Sequence, residues 1–288
     1  MRGILMAGGK STRLYPTTVS VNKHLLPVYD KPMIYYSLSL LMLAGIREIM
    51  VISDPKSITL LHNLLCSGEQ WGVKFEYREQ DAPNGIADAF RIGADYIGGG
   101  CVCLVLGDNI FYGHGLPNQL RNAAQLTTGA RIFAYHVVDP ARYGVVEFDS
   151  RFNAVSIEEK PIRPKSHYAI PGVYFYDNQI VDIAANLIPS NRGELEITDV
   201  NKEYIRRGQL SVEIIGRGTA WLDAGTHESL LQAANFVQAV EERQGIMVAS
   251  PEEIAYRLGY ITKHELYRLA TAMQSSLYGQ YIMQMYNS

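Results

Sequence analysis

The sequence predicts an α/β fold in which a mixed, mostly parallel sheet carries an inserted β-hairpin region and a C-terminal helical appendage. Short apolar runs alternate with helical patterns through the first half of the chain, as in parallel sheets covered by helices. Three strand patterns then follow one another closely between residues 131 and 158. From residue 226 onwards the pattern is helical.

In the first half of the chain, predicted strands alternate with predicted helices. Strand-length apolar runs cover residues 4–7, 48–53 and 101–106. The last run is apolar throughout, which is typical of strands buried on both faces. Helical patterns cover residues 32–44, 57–65 and 86–96. The first helix opens at Pro32 and stops at Gly45. We therefore expect a doubly wound, Rossmann-like sheet.

The second half completes the sheet and adds the appendage. Strand patterns cover residues 131–138, 143–148, 152–158, 168–176 and 210–215. A hairpin is expected at Asp149-Ser150, and a helix over residues 196–207. The final helical region should break near Gly245, Gly259 and Gly279. These patterns divide the chain into a core over residues 1–225 and an appendage over residues 226–288.

The composition excludes several classes of protein. The net charge of −3 argues against a partner that is nucleic acid, since proteins that bind phosphate backbones are usually basic. Three cysteines are an odd and sparse count, which argues against a disulfide framework and suits a reducing cytoplasm. Cys101 and Cys103 are interpreted as buried side chains on a strand. The N-terminus lacks the pattern of a signal peptide, and no apolar run has the length of a membrane span. We expect a cytoplasmic protein with no membrane partner.

A glycine-rich segment follows the first strand and predicts a phosphate site. Gly8-Gly9-Lys10-Ser11-Thr12-Arg13 could bring backbone N–H groups close to a phosphate. The segment matches neither the Walker A spacing nor the dinucleotide-binding fingerprint, so a plain tight turn is the alternative. Arg13 and Lys23 favour the phosphate interpretation. Arg13 can make a bidentate contact with two phosphate oxygens, and the flexible Lys23 can move with the negative charge as it develops on the phosphate.

Two aspartates indicate a magnesium site. Asp108 directly follows a buried strand, at the sheet edge where open α/β folds bind ligands. Asp223 lies in Trp221-Leu222-Asp223-Ala224-Gly225, between an apolar segment and a helix. If the two carboxylates converge, they provide the ligands that Mg²⁺ prefers beside phosphates and water. The alternative for each is the N-cap of a helix.

Further polar residues suggest sites for a sugar phosphate and a base. Strand alternation is expected to point Glu158 and Lys160 to one face and Glu159 to the other. One of these carboxylates could accept hydrogen bonds from sugar hydroxyls, although a solvated charge cluster is the alternative. Arg192 lies in a loop before a helix, where a phosphate contact is feasible. Gln80 carries both a donor and an acceptor, which match the imide edge of thymine or uracil. Gly85 nearby would let the backbone approach the base.

Together these segments resemble the glucose-1-phosphate thymidylyltransferase family over nearly the whole chain. The resemblance extends to residues 25–36, 133–136, 142–148, 193–199, 251–255 and 278–281. It implies catalytic roles for Arg13, Lys23 and Asp108, and a Mg²⁺ cofactor on Asp108 and Asp223. It implies nucleotide binding by Gly8, Gly9, Ser11, Thr12, Arg13, Gln80, Gly85 and Asp108. It implies sugar-phosphate binding by Tyr143, Gly144, Glu159, Lys160, Ile170, Arg192 and Trp221.

The family resemblance also carries expectations about assembly and regulation. It implies a homotetramer and a second, regulatory nucleotide site near a subunit interface, matched here by Tyr112, Gly113, His114 and Arg217. It also implies a place in deoxysugar synthesis for polysaccharides, such as the dTDP-rhamnose pathway.

The chain departs from the family pattern at several positions. Ser11 stands where the family usually has glycine, so a side chain there could crowd the triphosphate or demand a different φ. His24 replaces a glutamine, and Ser37 a proline inside the first helix. Asn84 replaces an aspartate, and Ala224 a threonine. None of these changes removes a charged catalytic group.

The sequence thus predicts a Mg²⁺-dependent transfer of a thymidylyl group from dTTP to glucose 1-phosphate. One alternative is the same chemistry with another nucleotide or sugar phosphate, since pockets discriminate weakly against a single methyl group. A second is a non-catalytic sensor of sugar nucleotides. The absence of the dinucleotide fingerprint argues against a Rossmann oxidoreductase.

Overall fold

A computed structural model describes residues 1–287. Its strands are β1 (Arg2–Met6), β2 (Pro27–Val28), β3 (Lys31–Pro32), β4 (Glu48–Ser53), β5 (Lys74–Glu79), β6 (Val102–Leu106), β7 (Asn109–Gly113), β8 (Ala130–His136), β9 (Gly144–Phe148), β10 (Ala154–Glu159), β11 (Tyr168–Ala169), β12 (Val173–Tyr176), β13 (Leu210–Ile214) and β14 (Thr219–Asp223). Its helices are α1 (Met33–Leu43), α2 (Pro55–Leu65), α3 (Asp88–Ile92), α4 (Ala94–Ile97), α5 (Leu116–Ala123), α6 (Gln179–Ala185), α7 (Ile197–Arg206), α8 (His227–Gln244), α9 (Pro251–Arg257), α10 (Lys263–Ala272) and α11 (Leu277–Asn287).

The main sheet has the predicted mixed character. Its strands follow the order β10-β9-β11-β8-β12-β6-β1-β4-β5, and β13 adds beside β8. The central strands β6, β1, β4 and β5 are parallel, whereas β12 joins β6 in the antiparallel sense. Ile4 and Leu5 of β1 are fully buried, because helices cover both faces of the parallel strands. The α/β class, the hairpin region β9–β10 and the C-terminal helices are confirmed.

A separate two-stranded ribbon brings distant parts of the chain together. β7 and β14 pair antiparallel, and Asp223 stands opposite Asn109. The backbone N–H of Ala224 donates to the carbonyl oxygen of Asp108 at 3.2 Å, which extends the ribbon by one step. Asp108 and Asp223 are therefore neighbours at one end of this ribbon, and the predicted convergence of their two segments occurs.

Two predicted elements are divided in the structure. The helix expected over residues 86–96 is interrupted at Gly93, where an added Cβ would stand 2.3 Å from Met50 Cε. Glycine lets this turn pass close to β4, and its low helix propensity ends α3. The strand expected over residues 168–176 is split into β11 and β12, because Pro171 lacks the N–H that a central strand needs.

The final helical region breaks at different places from those predicted. Gly245 directly follows α8, Gly259 lies two residues after α9, and both glycines have left-handed backbone. Gly279, in contrast, lies inside α11. The break comes earlier, between Ala272 and Leu277. A Cβ on Gly279 would stand 2.0 Å from the Met273 carbonyl oxygen, so glycine serves close packing there. The sequence patterns also missed β2, β3, β5, β7, β14, α5 and α6.

Buried polar networks attach the appendage to the core. Lys31 on β3 is 3% exposed and donates to Glu241 of α8 at 3.0 Å. Glu252 of α9 is equally buried and accepts from Trp71 Nε1 at 3.0 Å and from the Tyr278 hydroxyl. The proposed division into residues 1–225 and 226–288 stays a prediction, and Ser288 lies outside the described residues. Among residues 1–287, no helix combines the length and apolar character that crossing a membrane requires.

We expect Glu252→Ala to lower the free energy of unfolding by about 2–4 kcal/mol, because it leaves the buried Trp71 Nε1 without an acceptor and leaves the Tyr278 hydroxyl with Ser250 Oγ alone. Urea denaturation followed by tryptophan fluorescence measures the loss. Glu242→Ala, which removes an exposed carboxylate on α8, is the matched control and should change stability by less than about 0.5 kcal/mol. Equal, small effects in both variants would contradict a role for Glu252 in holding the appendage.

Candidate active site

Polar segments follow three parallel strands at the carboxyl edge of the central sheet. The glycine loop follows β1, Gln80 follows β5, and Asp108 stands two residues beyond the end of β6. Two cavities open at this edge. One of about 520 Å³, here called the loop cavity, is lined by Gly9, Ser11 and Gln80 among others. The other, of about 230 Å³, is called the carboxylate cavity and includes Arg13 and Asp108.

The glycine loop requires unusual backbone at two positions. Gly9 has φ 106° and Ser11 has φ 50°, both in the left-handed region that favours glycine. The Thr18 hydroxyl donates to the carbonyl oxygen of Ser11 at 2.8 Å and fixes this turn. Thr12 then begins a short 3₁₀ turn over Thr12–Leu14. Ser11 therefore adopts the positive φ that glycine tolerates best. The effects expected of Ser11, crowding of the triphosphate or a different φ, stay predictions.

Substitutions at Ser11 should separate backbone strain from crowding. We expect Ser11→Gly to keep the stability within about 1 kcal/mol, whereas Ser11→Val should lower it by about 1–2 kcal/mol, because a β-branched residue is strained at positive φ. Urea denaturation measures both. Ser275→Val is the control, since Ser275 is exposed and has ordinary backbone. A Ser11→Val protein as stable as the control would show that the turn can change conformation at no cost.

Lys23 and Asp108 form an ion pair beside the carboxylate cavity. Their side chains are only 14% and 18% exposed, and Nζ lies 2.5 Å from Oδ2. Burial would raise the pKa of the Asp108 carboxyl, but Lys23 and the amide of Asn109, which donates to Oδ1 at 3.0 Å, hold that pKa well below its usual range. Asp108 is therefore ionised at neutral pH. Lys23 lines neither cavity, and its ammonium group is paired with the Asp108 carboxylate.

His24 adds no charge to this pair. The imidazole is 2% exposed, and Nδ1 lies 2.6 Å from the Asn22 amide oxygen. Burial, together with the charge of Lys23, lowers the pKa of His24 to about 3. The ring also packs against Gly107, where an added Cβ would stand 2.6 Å from His24 Cδ2. The neutral histidine therefore supports the backbone turn that presents Asp108.

Asp223 is the last residue of β14 and lines the carboxylate cavity. The Tyr143 hydroxyl donates to Oδ1 at 3.0 Å, and Arg142 donates to Oδ2 at 3.3 Å. Burial and the neighbouring Asp223 raise the pKa of Tyr143 to about 12, so this hydroxyl remains a donor. The N-cap alternative is wrong, because Thr226 caps the following helix and Asp108 precedes a strand.

Arg13 is a cation of the carboxylate cavity that makes no ion pair within residues 1–287. It lines the carboxylate cavity, and its guanidinium lies beside Gly225, where an added Cβ would stand 2.9 Å from Nη2. Among residues 1–287, no carboxylate oxygen lies within the 4.0 Å limit of an ion pair with Arg13. The loop that carries Arg13 also lines the loop cavity. Arg13 therefore brings an unpaired positive charge into the carboxylate cavity, from the same loop whose residues Gly9, Lys10 and Ser11 line the loop cavity.

The predicted sugar residues largely share the carboxylate cavity. Tyr143, Gly144, Glu159, Lys160, Ile170 and Trp221 all line it. Trp221 Nε1 donates to the amide oxygen of Asn109 at 2.7 Å, which holds the indole in place. The Thr198 hydroxyl donates to Glu159 Oε2 at 2.6 Å. The structure thus brings these side chains together around the half-buried carboxylate of Glu159.

The predicted alternation at the end of β10 is wrong for Lys160. Glu158 does point away and pairs with Lys165 at 3.1 Å. Lys160, however, lies beyond the strand with φ 43°, so the chain turns and its ammonium lies 3.5 Å from Glu159 Oε1. The regular two-residue period holds only inside the strand. Glu159 and Lys160 therefore face the same cavity.

Arg192 and Gly85 are not brought into either cavity. The Arg192 guanidinium binds Glu196, with two contacts of 2.8 Å, and pairs with Glu194 at 3.2 Å. Gly85 has φ 103°, and an added Cβ would stand 2.5 Å from the carbonyl oxygen of Leu195. Glycine at this position thus serves the contact with Leu195. Their roles in binding sugar phosphate and base stay predictions.

Sequence reasoning missed several residues of the site. Lys10 and Lys56 line the loop cavity, and Asn109, Thr198 and Asn201 line the carboxylate cavity. Asn109 is 4% exposed and Asn201 1% exposed. Polar side chains within otherwise apolar segments were the available signal, because buried amides must find partners.

The residues matched to a regulatory site lie elsewhere. Tyr112 and Gly113 stand at the far end of the β7–β14 ribbon from Asp108, and Gly113 pairs with Thr219. The Tyr112 hydroxyl donates to Gln244 of α8. His114 and Arg217 follow β7 and precede β14 respectively. These residues are separated from Asp108 and Asp223 by the length of the β7–β14 ribbon. The second nucleotide site stays a prediction.

Comparisons with known proteins agree with this arrangement. The sequence model of the nucleotidyl transferase family matches residues 2–240. A glucose-1-phosphate thymidylyltransferase of Mycolicibacterium smegmatis is 55% identical over 285 residues, which is 99% of each chain. The enzyme of the same name from Neisseria gonorrhoeae is 54% identical over 283 residues, 98% of each chain.

A solved structure has the same architecture. The crystal structure of a proposed glucose-1-phosphate thymidylyltransferase from Bacillus anthracis, in complex with sucrose, superposes with a TM-score of 0.76. It is 42% identical in sequence, and the match covers 82% of this chain and 94% of that one.

Proposed function

This chain belongs to the nucleotidyl transferase family and, within it, to the glucose-1-phosphate thymidylyltransferases, and we propose that it joins dTTP and glucose 1-phosphate to give dTDP-glucose and pyrophosphate. The observation that carries the proposal is Arg13, an unpaired cation that lines a cavity with two aspartates and belongs to the loop that lines a second cavity. Two anionic substrates would meet at that charge. The names of nearly full-length relatives support the choice of substrates.

Each cavity suits one substrate. The loop cavity would take dTTP, with backbone groups of Gly9 and Ser11, which line it, and of the adjoining Gly8 and Thr12 near the phosphates, and with Gln80 at the base. The carboxylate cavity would take glucose 1-phosphate. Glu159 could accept hydrogen bonds from sugar hydroxyls, and Lys160 beside it could pair with the sugar phosphate. Arg192, whose Nη2 lies 3.8 Å from Glu159 Oε1, could join that phosphate after a movement of its side chain.

The proposed reaction is an in-line displacement. An oxygen of glucose 1-phosphate attacks the α-phosphorus of dTTP, the bond from that phosphorus to the bridging oxygen breaks, and pyrophosphate leaves with the electron pair. The nucleophile is already an anion at neutral pH, so no side chain needs to remove a proton. Arg13 would hold the two phosphates together and stabilise the charge of the transition state. Lys23 would act through Asp108, which it fixes and keeps ionised.

The same site fits a magnesium ion. Asp108 and Asp223 are adjacent at the end of the ribbon, and each carboxylate oxygen accepts a hydrogen bond that fixes its orientation. Among residues 1–287, no cluster of three or more acidic, histidine or cysteine side chains could hold a metal alone. Two carboxylates completed by phosphates and water suit Mg²⁺. When bound there, Mg²⁺ would neutralise negative charge on the approaching phosphates.

Pyrophosphate release from the purified full-length protein tests the proposal. The assay uses glucose 1-phosphate with dTTP, UTP, dCTP or ATP in turn, first with Mg²⁺ and then with excess EDTA. We expect release that is fastest with dTTP, stops with EDTA and returns with added Mg²⁺. Fast release with a different triphosphate or sugar phosphate would redefine the substrates. Binding of dTDP-glucose without any release of pyrophosphate would instead support a non-catalytic sensor of sugar nucleotides.

The wider setting follows from the same proposal. Three free cysteines suit a protein of the reducing cytoplasm, where both substrates would be available. Tetramer formation, regulation through Tyr112 and its neighbours, and a place in deoxysugar synthesis for polysaccharides rest on family resemblance. Sedimentation of the purified protein would test the tetramer directly.

A further inference from the structure

The amide of Gln80 has only one open hydrogen-bonding atom. Gln80 is 5% exposed, lines the loop cavity, and is held by its backbone N–H, which donates to the Ser53 carbonyl oxygen at 2.8 Å. Its side-chain nitrogen donates to the Gly85 carbonyl oxygen at 3.2 Å and to Asp88 Oδ2 at 3.0 Å. An amide nitrogen carries two hydrogens, so both are used. Among residues 1–287, no donor reaches Gln80 Oε1.

The open atom is turned towards the glycine loop. Gln80 Oε1 lies 3.4 Å from the point where a Cβ on Gly8 would stand. The two atoms that bind the nitrogen are both pure acceptors, a backbone carbonyl and a carboxylate. If the amide were rotated by half a turn, Oε1 would face these two acceptors and both hydrogen bonds would be lost. The amide therefore has one stable orientation.

The acceptors themselves cannot move away. The carbonyl oxygen of Asn84 accepts from the Leu195 N–H at 2.6 Å, and the Ala87 N–H donates to the Leu195 carbonyl oxygen at 3.1 Å. These bonds fix the segment on both sides of Gly85. Asp88 begins α3 and is 8% exposed, and the Asn84 side chain donates to its Oδ2 at 3.2 Å. An aspartate at position 84, as in the family pattern, would place two carboxylates together here.

We propose that Asp88 is a positioning residue that sets base specificity by holding Gln80 with its carbonyl oxygen towards the nucleotide. This inference rests on the proposed function and names the group that selects the base. Thymine and uracil present an N–H donor at N3, which Gln80 Oε1 can accept. Cytosine presents an acceptor at N3. Two acceptors, N3 and Gln80 Oε1, would then face each other with no hydrogen atom between them. Asp88 thereby excludes cytosine nucleotides without touching them.

The test replaces the pure acceptor by a group that can also donate. In Asp88→Asn, the amide at position 88 can donate to a rotated Gln80, so only the Gly85 carbonyl oxygen still favours the original orientation. We measure kcat/KM for pyrophosphate release with dTTP and with dCTP at saturating glucose 1-phosphate. The ratio of the two values should fall about 10- to 100-fold, the effect of mispairing one buried hydrogen bond. KM for glucose 1-phosphate should not change. Asp182→Asn, an exposed aspartate on α6, is the matched control.

A second background distinguishes positioning from general structural support. In a Gln80→Ala protein, Asp88→Asn should leave the dTTP to dCTP ratio unchanged, because the residue through which Asp88 acts is gone. An equal fall in both backgrounds would overturn the proposal, as would an unchanged ratio in the Asp88→Asn protein itself. If that variant does not fold, Asp88→Ser replaces it, since a serine hydroxyl can either donate or accept and can therefore pair with either orientation of the Gln80 amide. Wild-type protein that releases no pyrophosphate with any triphosphate would instead refute the proposed function.

Discussion

Asp108→Asn is expected to lower kcat for pyrophosphate release by a factor of several hundred, equivalent to about 3–4 kcal/mol of transition-state stabilisation. The asparagine keeps the shape of the side chain but removes the charge that faces the carboxylate cavity. It also removes the partner that fixes Lys23, whose ammonium lies 2.5 Å from the carboxylate. Both effects weaken the site for a divalent cation and misplace a positive charge.

Steady-state kinetics over a range of Mg²⁺ concentrations measure this loss. We expect the variant to require more Mg²⁺ and still to remain slow at saturation. Asp95→Asn, at an exposed aspartate outside both cavities, is the matched control and should retain wild-type kcat. Unchanged circular dichroism would show that the fold survives. Wild-type turnover by Asp108→Asn would remove Asp108 from the proposed metal site.

Arg13→Ala should cause a loss of similar size, because no other unpaired cation in residues 1–287 lines the carboxylate cavity where the two phosphates are proposed to meet. Arg13 is exposed and makes no ion pair in the described chain, so its removal should leave the stability within about 0.5 kcal/mol of wild type. A large kinetic effect without a stability effect is the signature of a group that acts on the substrate.

Arg13→Lys separates charge from geometry. A lysine keeps the charge but cannot fork across two phosphate oxygens, so we expect an intermediate kcat. Arg163→Ala removes an exposed arginine away from both cavities and is the matched control. Rapid-quench measurement of a single turnover would show whether the chemical step itself is slowed. Full activity of Arg13→Ala would contradict the proposed role, whatever the result for Asp108.

Local patterns in the sequence were sufficient for most of the fold. The apolar runs that became β1, β4 and β6 are buried strands, and the helix after Pro32 ends one residue before the expected Ala44. These elements could be predicted because their periodicity and end signals lie within about a dozen consecutive residues. The divided helix at Gly93 and the continuous helix through Gly279 could not, because each depends on how closely a distant segment packs.

The candidate site shows the same difference. The sequence by itself determined which groups are present and in what order: a glycine loop with Arg13, a glutamine after one strand, and aspartates after two others. It also singled out position 11, because the family pattern has glycine there, and the structure then gave Ser11 a positive φ.

Only the tertiary structure decided what those groups do to one another. The β7–β14 ribbon makes Asp108 and Asp223 neighbours, Lys23 is committed to Asp108 whereas Arg13 stays unpaired, and Asp88 fixes the orientation of the Gln80 amide. Each of these facts is a contact between residues far apart in the chain or a choice between possible partners. Hydrogen bonds and ion pairs act over a few ångströms in space, so their partners are settled only when long-range pairing and burial bring the segments together.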